Sequence, residues 1–143
     1  MTLSVSRAGL ELVLSGALLF VVGLVQGVLI PKFKNSRMAL SAHLTAVQSG
    51  TALMVFGVVW QFVKISSPWL GRTEAALVLS LYLIWLGITI AAATGASQTL
   101  PIAGKGFAGS QTSERLVGVV VSVGVLLSIT SGVAIVFGLA RSF

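Results

Sequence analysis

Four long runs of apolar residues dominate this sequence and restrict the folds open to it. They cover approximately residues 8–30, 38–63, 74–96 and 116–140, with short polar or turn-forming segments between them. An α-helix needs roughly 20 mostly apolar residues to cross about 30 Å of hydrocarbon, and each run reaches that length. In lipid every backbone N–H and C=O must be bonded internally, so such runs form helices. The sequence therefore predicts an all-α integral membrane protein, a four-helix transmembrane bundle that forms one domain over residues 1–143.

The scarcity of charge agrees with lipid as the solvent. Only 8% of the residues are charged and 56% are hydrophobic, whereas soluble domains carry about 25% charged residues. The net charge of +6 would suggest nucleic acid as a partner of a soluble protein. Here the basic residues flank the apolar runs, as interfacial anchors do. We therefore expect a lipid bilayer around the chain and no nucleic-acid partner.

The first run could be mistaken for a secretory signal peptide. Its apolar part is longer than a signal-peptide core, and Pro31 and Lys32 follow it in place of a small-residue cleavage site. We therefore expect a retained helix in a multi-pass membrane protein. The bacterial inner (cytoplasmic) membrane is the location we expect for it. The basic residues divide five to four between the two sides, which is too even to predict the orientation.

Small residues recur at helical spacing in all four runs. Such pairs allow helix backbones to approach closely in lipid. Because four helices bury little surface among themselves, some of these faces are expected to meet another copy, in a homo-oligomer. The pairs are Gly23 and Gly27, Ala46 and Gly50, Ala91 and Gly95, Gly118 and Ser122, and Ser128 and Gly132.

The chain has one histidine, His43, one to two turns into the second predicted helix. A histidine within a span is costly and is usually functional, although it can simply bond to a neighbouring helix. In a helical projection, six residues lie within about 60° of His43, and four of them are alanine or glycine. A flat macrocycle beside an axial ligand needs small neighbours, but ordinary helix packing needs them too, so both interpretations stay open. The six are Ala39, Ala46, Val47, Gly50, Met54 and Gly57.

The rest of the residue inventory excludes several kinds of site. The chain has no cysteine, and its three glutamates lie near predicted helix ends, so one chain cannot supply the ligands of a zinc site. It has no aspartate, so a serine triad would lack its usual partner. If a metal is present, a single haem with one axial histidine and an open sixth position fits this inventory best.

One face of the third predicted helix carries Tyr82, Trp85 and Thr89 at positions i, i+3 and i+7. This spacing indicates either an aromatic-binding pocket or a packing stripe with interhelical hydrogen bonds. The residue pattern alone leaves both open.

Three segments carry a resemblance to a known family. The segment NSRMALSAHLTAVQSG at 35–50 resembles the signature of hydroxylaminobenzene mutases, with an Ala-His pair and a glycine seven residues after the histidine. The segments YLIWL at 82–86 and LPIAG at 100–104 also match. The family is distantly similar to styrene oxide isomerase, a four-span membrane protein that carries haem b and assembles as a trimer.

The resemblance implies a function and a set of site residues. It implies a membrane-bound isomerase that converts hydroxylaminobenzene to 2-aminophenol in the catabolism of nitroaromatic compounds, and a homo-oligomer, with a trimer favoured. It makes His43 the iron ligand of haem b and a catalytic residue. Around that haem we expect Ala39, Ala46, Val47 and Gly50, with Arg37 either binding a propionate or anchoring the headgroup region.

The sequence departs from the family at several pocket positions. Many relatives have an asparagine six residues after the histidine, where this chain has Ser49. Other pocket positions correspond to Ile84, Ile88 and Ser80. We therefore expect a substrate pocket formed by Gln48, Ser49, Tyr82 and Trp85, with Tyr82 also catalytic.

Two other classes of function stay open at this stage. The chain could be a non-enzymatic haem protein such as an electron carrier, or a haem-free transporter or membrane subunit. A haem absorbance spectrum separates the last class from the other two, and a product assay separates an isomerase from an electron carrier.

Overall fold

Five α-helices make up the fold in the computed structural model, which describes residues 5–143. Helix α1 spans Arg7–Leu29, α2 spans Ser36–Val59, α3 spans Trp69–Thr94, α4 spans Pro101–Gly104 and α5 spans Gln111–Ala140. Short 3₁₀ turns extend α1 through Lys32 and α2 through Phe62. No strand occurs within this part of the chain. Helices α1, α2, α3 and α5 are long and apolar enough to cross a membrane, which confirms the predicted four-helix transmembrane architecture.

Polar residues begin three of the four long helices. The side chains of Ser6, Asn35 and Ser110 each accept a hydrogen bond from a backbone N–H of the first turn. These bonds satisfy donors that a helix leaves free at its N-terminus. Helix α3 ends at Gly95, whose φ of +80° lies in the left-handed region that favours glycine.

Glycines allow α1 and α2 to approach each other almost backbone to backbone. A Cβ atom added to Gly16 would lie 2.5 Å from the carbonyl oxygen of Gly50, and one added to Gly9 would lie 2.5 Å from that of Gly57. Towards the other end of the contact, Gly23 packs against Ala46. In lipid such close packing replaces the hydrophobic driving force that helix pairs use in water.

The remaining long helices complete the bundle around α3. Helix α5 packs mainly against α3, where Gly87 faces Val121 and Gly124 faces Ile84. Helix α2 contacts α3 across the core, while α1 and α3 contact each other much less. The outward surface is strongly apolar, with side chains such as Val28 at 81% and Val136 at 68% exposed. The chain is therefore a multi-pass integral membrane protein whose exposed surface suits lipid.

A polar cluster organises the connection between α3 and α5. The Glu114 carboxylate, almost fully buried, accepts four hydrogen bonds of 2.9–3.1 Å from the backbone N–H groups of Ser97, Gln98 and Gly109. The fully buried Asn35 caps α2 and donates from Nδ2 to the Ala103 carbonyl of α4 at 2.9 Å. Together these two side chains hold the connection and its short helix over the beginning of α2.

Candidate functional site

His43 lies at the contact between α2 and α1, half-buried, and its imidazole is bonded to the backbone of α1. Its Nδ1 atom is 2.7 Å from the carbonyl oxygen of Gly23. Because a carbonyl oxygen only accepts, this bond requires a hydrogen on Nδ1, and in a neutral imidazole the lone pair is then on Nε2. A histidine that ligates a metal is commonly fixed in this way, with the other ring nitrogen bonded to a carbonyl.

Gly27 provides the space that the imidazole occupies on α1. A Cβ atom added at Gly27 would lie 3.0 Å from both Cε1 and Nδ1 of His43. The pair Gly23 and Gly27, singled out in the sequence for its spacing, therefore serves both helix packing and the seating of the histidine. Helix packing and the single imidazole thus depend on the same turn of α1.

The small residues around His43 have packing partners within the chain. Ala46 and Gly50 contact α1, at Gly23 and at Gly16 with Phe20, respectively. Ala39 is fully buried in the cluster that joins α2 to α3 and α5. Val47 is partly buried and contacts Gly23. Helix packing accounts for the size of Ala39, Ala46 and Gly50, and their proposed role around a haem stays a prediction.

The donor set at His43 fits one axial haem ligand and does not fit a protein-bound metal ion with several protein ligands. Within residues 5–143, no three His, Cys, Asp or Glu side chains are grouped so that they could hold a metal ion. The same residues include no hydrogen bond to Nε2 of His43. One neutral imidazole with a free Nε2 is what a porphyrin iron requires from a protein, since the porphyrin supplies the other ligands.

A second group of side chains bridges α1 and α3. The indole N–H of Trp85 donates to Oε1 of Gln26 at 2.8 Å, and Nε2 of Gln26 donates to the Thr89 hydroxyl at 3.0 Å. One turn earlier on α3, the Tyr82 hydroxyl donates to the Ser15 carbonyl of α1 at 2.8 Å. These bonds use the polar groups of both aromatic side chains, so their ring faces and edges are what they can offer to a ligand.

Tyr82, which packs against Trp85, borders an open groove between α1 and α3. Tyr82 and Trp85 meet edge to face, with ring centroids 6.4 Å apart and an interplanar angle of 87°. The groove has a volume of about 680 Å³ and extends from Tyr82 towards the beginnings of α1 and α3. Its lining is mainly apolar and also includes Glu11 and Glu74. It exists because α1 and α3 are joined by side-chain hydrogen bonds rather than by close backbone packing.

His43 and the aromatic pair contact different flanks of one turn of α1. His43 touches Gly23 and Gly27, whereas Trp85 touches Gln26. The groove along Tyr82 does not include His43 in its lining. Within a single chain, His43 and Trp85 therefore contact the same turn of α1 from different sides, whereas the groove along Tyr82 is lined on α1 by Glu11 and Ser15, about two to three turns away.

The other predicted site residues lie apart from both groups. Gln48 is exposed on α2, whereas Ser49 is buried on the side of α2 that faces the core. Arg37 is exposed at the beginning of α2, and its guanidinium donates to the Lys105 carbonyl of the connection between α3 and α5. Their assignment to substrate or haem remains a prediction.

The sequence alone indicated no structural role for Gln26, Asn35 or Glu114. Gln26 was identifiable as a polar residue at membrane depth, and Asn35 precedes a helix as capping residues do. Nothing in the local sequence indicated their distant partners, which lie 16 or more positions away; the near partners are Met38, which Asn35 caps, and Gly109, which bonds to Glu114.

Comparison with known proteins shows which family the chain is similar to. A family model described as styrene oxide isomerase matches residues 9–140. The chain is 36% identical over 104 residues to hydroxylaminobenzene mutase HabA of Ectopseudomonas oleovorans, which covers 72% of this chain and 77% of the relative. It is 34% identical over 106 residues to hydroxylaminobenzene mutase HabB of the same organism, covering 71% of this chain and 63% of the relative. No solved structure matches the chain.

Proposed function

The chain belongs to the styrene oxide isomerase family and is an isomerase, and from that premise we propose that it converts hydroxylaminobenzene to 2-aminophenol. The observation that carries this proposal is its similarity to two proteins named hydroxylaminobenzene mutase. In this reaction the N–O bond breaks and a C–O bond forms at the ortho carbon, while the ortho proton is lost and nitrogen ends as an amine. The atoms balance without an oxidant, a reductant or net water.

Haem b is the proposed cofactor, and the Nε2 atom of His43 would hold its iron. The bond from Nδ1 to the Gly23 carbonyl supports this because it fixes both the tautomer and the direction of the ring. Bound there, ferric iron would supply a Lewis acid for the oxygen of the hydroxylamino group. Arg37, exposed at the membrane edge one to two turns before His43, is the proposed partner of a haem propionate.

The helices around the site supply an environment for a cationic transition state. Breaking the N–O bond places positive charge on the aromatic ring, and water would capture such a cation. The packed cores that join α1, α2 and α3 are apolar, and an apolar surrounding of this kind would keep water away from the cation. The π faces of Tyr82 and Trp85 can stabilise a cation by roughly 0.5–2 kcal/mol each. Because their polar groups are already bonded, we assign them this role rather than proton transfer.

The separation of His43 from the aromatic pair supports a homo-oligomeric enzyme. A substrate that contacts both groups would lie between two copies, since α1 divides them within one chain. We therefore propose that the enzyme works as a homo-oligomer, with a trimer favoured. The inner membrane of a bacterium is the proposed location, where an apolar aromatic substrate also partitions.

Purified protein should convert hydroxylaminobenzene to an equal amount of 2-aminophenol without added oxidant or reductant. It should also show a Soret absorbance band that His43→Ala abolishes together with turnover, because that variant removes the only imidazole. Val28→Ala is the matched control, since Val28 lies beside Gly27 but faces outward and is 81% exposed.

The outcomes separate the two parts of the proposal. Full turnover without any Soret band would overturn the haem assignment and leave the mutase activity standing. A stable Soret band without 2-aminophenol would overturn the proposed reaction and favour an electron carrier.

A further inference from the structure

Gln48 is a polar side chain exposed in the middle of a membrane span. It lies 13 residues after the capping residue Asn35, which places it about 20 Å along α2 at 1.5 Å per residue. Its neighbours on the same exposed face are apolar, including Leu44 and Val55. A side-chain amide in hydrocarbon needs a hydrogen-bond partner, and within residues 5–143 Gln48 has none.

Three other polar side chains within the spans are bonded within the chain. The hydroxyls of the exposed Thr51 and Thr130 donate to carbonyls of their own helices, at 2.9 Å in each case. Gln26, the other glutamine well inside a span, bonds to Trp85 and Thr89. The exposed amide of Gln48 therefore contrasts with its equivalents and points to a partner outside the chain.

Helix α5 presents an exposed face that complements this amide. Ser122 is exposed there, and its hydroxyl has no hydrogen bond within the part of the chain that the structure describes. A Cβ atom added to Gly132 would meet nothing within 4 Å, and one added to Gly118 would meet only Thr99. Gly118, Ser122 and Gly132 together leave a shallow face that a second helix can approach closely.

Gln48 and Ser122 lie at the same depth in the membrane. Ser122 follows its capping residue Ser110 by 12 residues, or about 18 Å of helix, against about 20 Å for Gln48. The two helix starts are on the same side of the bundle, because Lys34 Nζ is 3.5 Å from the Ala108 carbonyl. Rotation about the membrane normal preserves depth, so copies related by such an axis can bring these two residues together.

We propose that copies of this chain associate through the exposed Gln48 face of α2 on one copy and the Gly118–Ser122–Gly132 face of α5 on the next. The contact joins two different surfaces, and its repetition within a membrane closes into a ring when the rotation between neighbouring copies divides a full turn. The Gln48 side chain bonds to the Ser122 hydroxyl across the contact. This places Gln48 between subunits rather than in the substrate pocket predicted from the sequence.

The absence of cysteine from the chain makes the contact directly testable by cross-linking. The variant Gln48→Cys/Ser122→Cys should form disulfide-linked dimers and higher species in membranes treated with copper phenanthroline. Each single variant alone should remain monomeric on a denaturing gel. Mixing the two single variants in one membrane should restore the dimer, because each copy then supplies one half of the contact.

A pair mismatched in depth provides the control. Val55 lies on the same face of α2 and is 57% exposed, but it is about 10 Å further along the helix than Gln48. The variant Val55→Cys/Ser122→Cys should therefore cross-link at least tenfold less than the matched pair. Equal yields from the two pairs, no product from the matched pair, or a dimer from Gln48→Cys alone would each overturn the proposal.

A second measurement separates an interface role from a substrate role. Gln48→Leu should shift the particle mass of solubilised protein towards the monomer by mass photometry, whereas Val28→Ala, on the outward face of α1, should leave it unchanged. If Gln48→Leu keeps the wild-type mass but raises KM for hydroxylaminobenzene, Gln48 contacts substrate and the proposed interface is wrong. Folding of the variant is checked by its helical circular dichroism.

Discussion

Helix α1 makes two contacts of opposite character. Against α2 it packs by glycines, with backbones so close that a single methyl group would collide. Against α3 it packs loosely, leaves a groove of about 680 Å³, and is joined by the hydrogen bonds of Tyr82, Trp85 and Gln26. The tight contact with α2 therefore fixes the position of the His43 imidazole, whereas the loose contact with α3 leaves room for a ligand beside the Tyr82 ring.

The tight contact should tolerate no added volume, and Gly50→Leu should have the largest effect. A Cβ atom at Gly50 would already lie 2.6 Å from the Gly16 carbonyl oxygen and 2.7 Å from the Phe20 nitrogen, so the helices must separate. Overpacking of this kind costs about 1–3 kcal/mol or more. We expect a large loss of folded protein, measured by thermal aggregation and gel-filtration yield.

The matched change on the loose side is Ala75→Leu, because Ala75 lines the open groove. It should change the midpoint of thermal aggregation by a few degrees at most. If the two leucine variants were equally destabilised, the contrast between the two contacts would have no energetic meaning.

An intermediate effect is expected from Gly27→Ala, which tests only the contact between Gly27 and the His43 imidazole. The new methyl group would lie 3.0 Å from two atoms of His43, so the ring must move by a few tenths of an ångström. We expect nearly normal stability, a shifted or weakened Soret band and about a tenfold lower kcat. An unchanged spectrum and unchanged kcat would show that the ring position does not depend on this turn of α1.

The smallest effect is expected from Tyr82→Phe, which removes one hydrogen bond on the loose side. Bonds between transmembrane helices average about 0.6 kcal/mol, so the loss of the bond to Ser15 should barely change stability. If the ring face is what Tyr82 offers the substrate, Tyr82→Phe keeps the activity within about twofold. Tyr82→Leu should then lower kcat/KM about tenfold, and equal activities of the Phe and Leu variants would remove the ring from the site.

The sequence predicted the four spans well, because the length of an apolar run decides whether a helix crosses a membrane. Boundaries were less predictable where caps and interfacial residues extend a helix. Helix α3 begins at Trp69 rather than near 74, and α5 begins at Gln111, directly after the capping Ser110, rather than near 116. The predicted connection at 97–114 contains α4, which begins at Pro101, a favoured first helical residue.

The sequence could not predict how the helices pack against one another. In a soluble helix the apolar stripe marks the face that packs, but here lipid-facing and core-facing positions are equally apolar. His43 could be identified because a lone histidine in a span is conspicuous, whereas its bond to Gly23 depends on how α1 and α2 cross. For the same reason Tyr82 and Trp85 were assigned to a pocket without any indication that α1 separates them from His43.

The buried carboxylate of Glu114 has a consequence for biosynthesis. The ribosome delivers a chain from its N-terminus, so residues 97–109 emerge before the glutamate that bonds to their amide groups. Until Glu114 follows in the first turn of α5, the connection lacks that anchor, and α4 is held over the beginning of α2 by the bond from Asn35 to the Ala103 carbonyl. The first three spans can thus be inserted while the connection is only partly held, and the arrival of the first turn of α5 fastens it.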